Sequence, residues 1–120
     1  MIRVDTRPRR RNSGKADGLR RCSGHLQWIR SRPCILAKVG GCAGRVEAAH
    51  VDHAGGTGLG VKVADAHAVP LCSGHHGEYH QRGARTFERK HTLDLVQVAS
   101  QFAHASPHWP KLCEQLESRA

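Results

Sequence analysis

The chain has 120 residues, the size of one ordinary domain, and a domain this small buries a limited core. Only 38% of it is hydrophobic and 4% aromatic, no apolar run reaches the ~18 residues of a membrane span, and the N-terminus has no apolar core of a signal peptide, so a cytoplasmic protein is expected. The net charge of +9 and five cysteines among ten histidines fit thiolate metal ligation in a reducing compartment better than a secreted disulfide framework.

The charge is uneven. Residues 1–32 carry ten Lys or Arg against Asp5 and Asp17, a net of +8, so the remainder contributes only +1. The first 24 residues, with Arg9, Arg10 and Arg11 at their centre, lack the apolar side chains needed to fold and are read as a disordered basic arm. Phosphate backbones are its natural partner, since each neutralised phosphate releases counterions.

Leu26, Trp28 and Ile29 then predict a short helix or turn ending near Pro33, with Trp28 as a core anchor. Residues 34–37 read as a strand, followed by a loop, Gly40-Gly41-Cys42, that carries a second cysteine. Residues 45–51 alternate weakly, as a short strand of a hairpin does. The glycine-rich stretch at 54–60 lacks the Gly-Lys-Ser/Thr ending of a phosphate-binding loop and reads as a flexible connection. Residues 67–71 are the second strand, limited by Pro70 to an edge or a strand end. His75, His76, Tyr79 and His80 predict a helix reaching about Arg82 and stopped by Gly83. Thr86 is a candidate N-cap for a further helix running through an apolar stripe of Leu93, Val96, Ala99 and Phe102, ended by Pro107. Residues 109–116 form a short terminal helix in which Cys113 is a packed thiol.

Chemistry concentrates between residues 34 and 80. Cys72-Ser73-Gly74-His75 has the two-residue spacing with which a tight turn brings two side chains to one tetrahedral ion. Cys34 and Cys42 complete a three-cysteine, one-histidine zinc site, and such a site contributes about 10 kcal/mol or more of folding free energy. A rival assignment uses the repeated spelling Cys22-Ser23-Gly24-His25 with Cys72 and His75, leaving Cys34 and Cys42 free. His76 and His80 are four apart, so they stack on one helix face and can hold one divalent metal. His75 is turned about 100° from His76, so neighbouring residues can serve different ions.

These residues resemble the HNH nucleases. The match is Glu47-Ala48-Ala49-His50-Val51, a glycine-rich stretch, then His67-Ala68-Val69-Pro70-Leu71-Cys72-Ser73-Gly74-His75-His76 and His80. It is most similar to the small prophage-associated branch of that family, some members of which resemble phage recombination nucleases, through Pro33-Cys34, Gly58-Leu59-Gly60-Val61-Lys62, Asp65 and the segment from His25 to Arg30. The resemblance covers about residues 25–105.

It implies an α+β fold: a small ββα-metal core spanning about residues 47–80, stapled by a structural zinc, with added C-terminal helices and the disordered basic arm. The divisions are residues 1–24 for the arm, 25–105 for the nuclease domain and 106–120 for a helical extension. The resemblance makes His50 the general base, with His67 in the place of the family's middle Asn as its catalytic companion. His76 and His80 correspond to ligands of a catalytic divalent metal (Mg²⁺, Mn²⁺, Ni²⁺ or Zn²⁺), and Cys34, Cys42, Cys72 and His75 to ligands of the structural zinc. A neutral imidazole accepts a proton near pH 7 without a large pKa shift, which suits the base.

Two positions depart from the pattern. The residue before the base, commonly a metal-ligating His, Asp or Glu, is Ala49; Asp52, His53 or water are the substitutes. Either His67 or Asp65 braces the glycine-rich loop. The expected function is a metal-dependent DNA endonuclease, with Arg9, Arg10, Arg11 and Lys62 on the nucleic acid. Branched or nicked DNA and RNA are open substrates, the protein acts as a monomer or homodimer, and no membrane is involved. The alternative, favoured by Ala49, is a zinc-stapled nucleic-acid-binding module without catalysis.

Overall fold

A computed structural model describes residues 21–54 and 63–117; the proposed nucleic-acid contacts Arg9, Arg10, Arg11 and Lys62 lie outside them. The described residues form a small α+β fold of one two-stranded sheet and five helices.

Helix α1 (Ser23–Arg30) opens it, and the Ser31 amide closes it on the Trp28 carbonyl at 3.0 Å. Pro33 disfavours helical geometry at Arg32 and so discourages continuation. The expected anchor, Trp28, is only half-buried: it stacks on His25, meets Phe102 edge-on and carries the Arg32 guanidinium 5.3 Å from its ring centre. Ile29 takes the fully buried position instead.

The strand expected at residues 34–37 is a run of turns. The Ala37 amide donates to the Cys34 carbonyl and the Val39 amide to the Leu36 carbonyl, while Ile35 alone reaches the sheet, donating to the Pro70 carbonyl. The curl has a physical reason: an extended segment would carry Cys42 away from Cys34. Gly40 and Gly41, at φ of +95° and +78°, complete the reversal in a region where a side chain is disfavoured.

Strand β1 (Val46–His50) pairs antiparallel with β2 (Ala68–Cys72), Glu47 opposite Leu71, Ala49 opposite Val69 and His50 opposite Ala68. Backbone bonds from Val51 to His67 and from Ser73 to Arg45 extend the ladder at both ends. Every residue of β2 is buried, so both faces of that strand are covered, and α1, α2 and α4 all pack on it. Pro70 is tolerated because each strand of a two-stranded sheet is an edge.

Helix α2 (Ser73–Arg82) starts directly from β2, its first turn capped by the Cys72 sulfur, which accepts the His75 amide. Gly83, at φ +84°, stops α2 as expected, and it is also the residue from which α3 (Ala84–His91) begins. Thr86 therefore lies inside that helix rather than at its cap. The single helix expected beyond it is two. Thr92 takes a left-handed conformation (φ +54°) that ends α3, and the Asp94 carboxylate restarts the chain as α4 (Leu95–Ala105) by accepting the Gln97 amide. The break rotates the apolar face: Leu95, Ala99 and Ala103 are buried, whereas Val96 is 38% exposed. Helix α5 (Trp109–Glu117) follows.

The main core joins hairpin and helices through Leu36, Val51, Val69, Leu71, Phe87 and Leu95, each burial worth about 1.5–3 kcal/mol. A second cluster of Cys22, Ala66, Ala103 and Leu112 seats α5.

Candidate functional site: a metal centre and a neighbouring histidine group

Three pieces of chain deliver four donors to one point. The 34–39 turns present Cys34, the glycine reversal returns Cys42, and the junction of β2 with α2 supplies Cys72 and His75. The Sγ atoms of the three cysteines and a ring nitrogen of His75 all lie within 4.8 Å of one another. His75 Nδ1 is 3.2 Å from Cys72, 3.7 Å from Cys34 and 3.8 Å from Cys42. A tetrahedral zinc with bonds of about 2.0 Å to nitrogen and 2.3 Å to sulfur requires ligand edges of about 3.5–3.8 Å, so the donors fit a metal ion such as zinc.

The backbone has prepared this cluster. The amides of Ala43 and His75 both donate to the Cys72 sulfur at 3.4 Å. Burial opposes ionisation of Cys72, yet these donors and its cysteine and histidine neighbours outweigh it and bring the thiol down to about 6. Cys42 is pushed up to about 11 by desolvation within the cluster and by the adjoining Cys72 and Cys34. Gly44 fits against α2 where a Cβ would stand 2.6 Å from that of Ser73. Behind the cluster the His75 ring meets His91 edge-on, and His91 bonds Glu78 at 3.1 Å. Hydrogen bonds from Lys90, His91 and Arg82 outweigh partial burial and hold Glu78 at about 2.

The rival assignment through Cys22 and His25 is overturned. Cys22 is buried in the second core cluster, with its amide donating to Asp65 Oδ2 at 2.7 Å. His25 is wholly buried, 2.9 Å from the Ser106 hydroxyl.

One residue beyond His75, the surroundings change. His76 Nδ1 donates to Glu47 Oε1 at 2.7 Å, and His76 Nε2 lies 3.2 Å from His80 Nε2. On β1, His50 Nε2 donates to Asp65 Oδ1 at 2.9 Å, the ring remaining 36% exposed above a nearly buried acid. Burial alone would raise the pKa of Asp65, but the hydrogen bonds from His50 and the Cys22 amide, with the charges of His50 and Arg21, hold it below the usual value. The pleat turns His50 and Glu47 to opposite faces of β1. Tyr79, the neighbour of His80 on α2, accepts the Asp52 amide on its hydroxyl at 3.4 Å, two residues past His50.

The other sequence candidates lie further out. His53 faces Glu88 at 3.6 Å, and Asp52 begins the 3₁₀ turn Asp52–Ala54. The His67 carbonyl accepts the Val51 amide at the end of the hairpin ladder. Ala49 is 1% exposed and its methyl side chain offers no ligand. The bond of Asp65 to His50 and the whole part of Glu47 escaped the sequence reading. A signal existed for Glu47: it precedes Ala49 by two residues and so shares its strand face.

Fold and cluster thus define a small α+β protein with a three-cysteine, one-histidine group that can hold a metal ion. Residues 14–107 match the family described as "Protein of unknown function (DUF968)", and the chain belongs to that family. No curated protein and no solved structure matches it.

Proposed function

We propose that the protein is a metal-dependent DNA endonuclease of the HNH type, in which zinc in the cysteine cluster is structural and the histidine group is the reactive site. The observation that carries this reading is the His50 imidazole, 36% exposed and held by a nearly buried carboxylate, on a strand against which packs the helix that bears two facing imidazoles. A closed set of four protein donors leaves no position for substrate, whereas a site with few protein donors does.

In this reading, Asp65 fixes the ring of His50 with the proton on Nε2. Nδ1 then carries the lone pair and accepts the proton of a water attacking the scissile phosphate. Asp65 also disperses the charge His50 gains. His76 and His80 would hold a divalent cation, whose chemistry when bound would be to stabilise charge on the phosphate and the leaving oxygen. The separation of 3.2 Å between their Nε2 atoms suits neighbouring ligands at about 2.0–2.1 Å from one ion. The basic residues of the N-terminal 32 supply sequence-independent attraction to phosphates.

One observation favours a second reading, a zinc-stapled nucleic-acid-binding module: the buried Ala49 stands where the family resemblance calls for a metal ligand. Supercoiled plasmid separates the two. With the zinc-loaded protein, nicking that requires added Mg²⁺, Mn²⁺ or Ni²⁺ supports the enzyme. Plasmid binding without nicking under every cation supports the module.

A further inference from the structure

We propose that Glu47 is a positioning residue: its carboxylate fixes His76 in the one ring tautomer that can share a divalent cation with His80. The inference rests on the His76 and His80 pair being the cation site, and its test is built to fail separately.

A neutral imidazole has one N–H and one lone pair, and its partners decide which nitrogen holds which. An ionised carboxylate only accepts. With Glu47 Oε1 at 2.7 Å from Nδ1, that nitrogen carries the proton of His76, and the short contact has the length of a charge-assisted bond. The lone pair is thereby placed on Nε2, the atom that faces His80 Nε2 at 3.2 Å. Without a cation, His80 Nε2–H donates across this gap. When a cation enters, the proton of His80 passes through water to its own Nδ1, and both Nε2 lone pairs face the ion. No net proton is released.

The strand decides why Glu47 orients His76 rather than binding the ion. Residues 47 and 49 share a face of β1, but the side chain at 49 is a methyl group, so the carboxylate on this face stands two residues earlier. There it meets the nitrogen of His76 on the far side of the ring from His80. Its cross-strand partner is Leu71, which offers no charge, and its carboxylate turns to His76 on the helix. Side-chain exposures of 41% for Glu47 and 20% for His76 leave the site open to an ion from solvent.

An ordinary half-exposed ion pair would have the same distance, and it is worth about 0–1 kcal/mol without affecting any cation. The experiment distinguishes the two. Mn²⁺ titration of the zinc-loaded full chain, followed by the electron paramagnetic resonance of free Mn²⁺, reads affinity. Long-range ¹⁵N–¹H NMR of the same samples without Mn²⁺ reads the His76 tautomer. Glu47→Ala is expected to weaken Mn²⁺ binding about 10–100-fold, the usual loss when the carboxylate behind a metal-binding His is removed. It should also move part of the His76 proton to Nε2, with zinc content and melting temperature unchanged. Glu47→Gln, which keeps an acceptor oxygen, should recover the tautomer and most of the affinity. If Glu47→Ala leaves affinity and tautomer as in the parent while His76→Ala abolishes Mn²⁺ binding, Glu47 has no positioning role although the cation site stands. Parental Mn²⁺ affinity in both His76→Ala and His80→Ala overturns the site itself, and the role of Glu47 with it.

Discussion

His75 and His76 are neighbours on α2, yet they belong to opposite kinds of site. The His75 group has four donors from three pieces of chain converging on one point, with Cys34, Cys72 and His75 buried. The His76 group is made of pairs, Glu47 with His76, His76 with His80 and His50 with Asp65, and its imidazoles reach solvent. Successive helix residues point about 100° apart, so one helix start separates the two without a change of backbone. In the proposed reading the closed group serves folding and the open one chemistry. If so, substitutions should divide into those that destroy the fold and those that spare it.

The largest expected effect is that of Cys72→Ser. It removes a sulfur that caps α2, accepts two amides and belongs to the metal group. A structural zinc contributes about 10 kcal/mol or more, comparable with the whole stability of a small domain. The variant should lose bound zinc and its cooperative melt by circular dichroism, while His76→Ala keeps both. A zinc-free Cys72→Ser chain melting like the parent would break the division.

A smaller effect concerns the second core cluster and depends on pH. Burial, reinforced by the charge of His108 and partly opposed by that of Asp65, lowers His25 to about 4 from 6.5. The unfolded chain therefore takes up this proton first as the pH falls. The contribution of His25 is complete above about 6.5 and lost between there and 4, amounting to about 3 kcal/mol overall and about 2 kcal/mol by pH 5. Urea unfolding at pH 7 and pH 5 measures it. His25→Gln should lose less stability over that interval than the parent; an equal loss would assign the acid sensitivity elsewhere.

Gly44→Ala should have a milder effect on the closed group. With φ at +78° and the new Cβ 2.6 Å from that of Ser73, it is expected to lower stability by about 1–3 kcal/mol in urea titrations while zinc remains bound. An unchanged unfolding midpoint would show that the 42–44 turn yields freely.

The sequence disclosed these regions unequally, and sequence separation explains much of it. The spacing of Cys72 and His75 sets their geometry locally, so the hairpin, the helix and that pair of donors were legible, whereas Cys34 and Cys42, 41 and 33 residues from His75, were joined to them with the help of the resemblance. The break at Thr92 was not, because a left-handed threonine carries no glycine to announce it and the apolar period continues through it. Residues 34–37 read as a strand because Ile35 and Leu36 are apolar and extended in pattern, whereas the turns there serve the return of Cys42. The bonds from His25 to Ser106 and from Cys22 to Asp65 join residues 81 and 43 apart, which no local pattern reveals. Glu47 was half-visible: it opens the quoted motif and shares a strand face with Ala49, but a single carboxylate in a short strand does not announce which helix residue it will meet.

The central claim, that the open group cuts DNA while the closed one holds the fold, is tested most directly at His50. The parent and His50→Ala should be compared for nicking of supercoiled plasmid in matched Mg²⁺ or Mn²⁺, with zinc content and melting temperature measured on the same preparations. The account predicts a rate about 10²–10⁴ lower in the variant, the usual consequence of losing a positioned base, with zinc and melting temperature unchanged. Equal nicking by the two proteins, or none by the parent in any divalent cation, would contradict it.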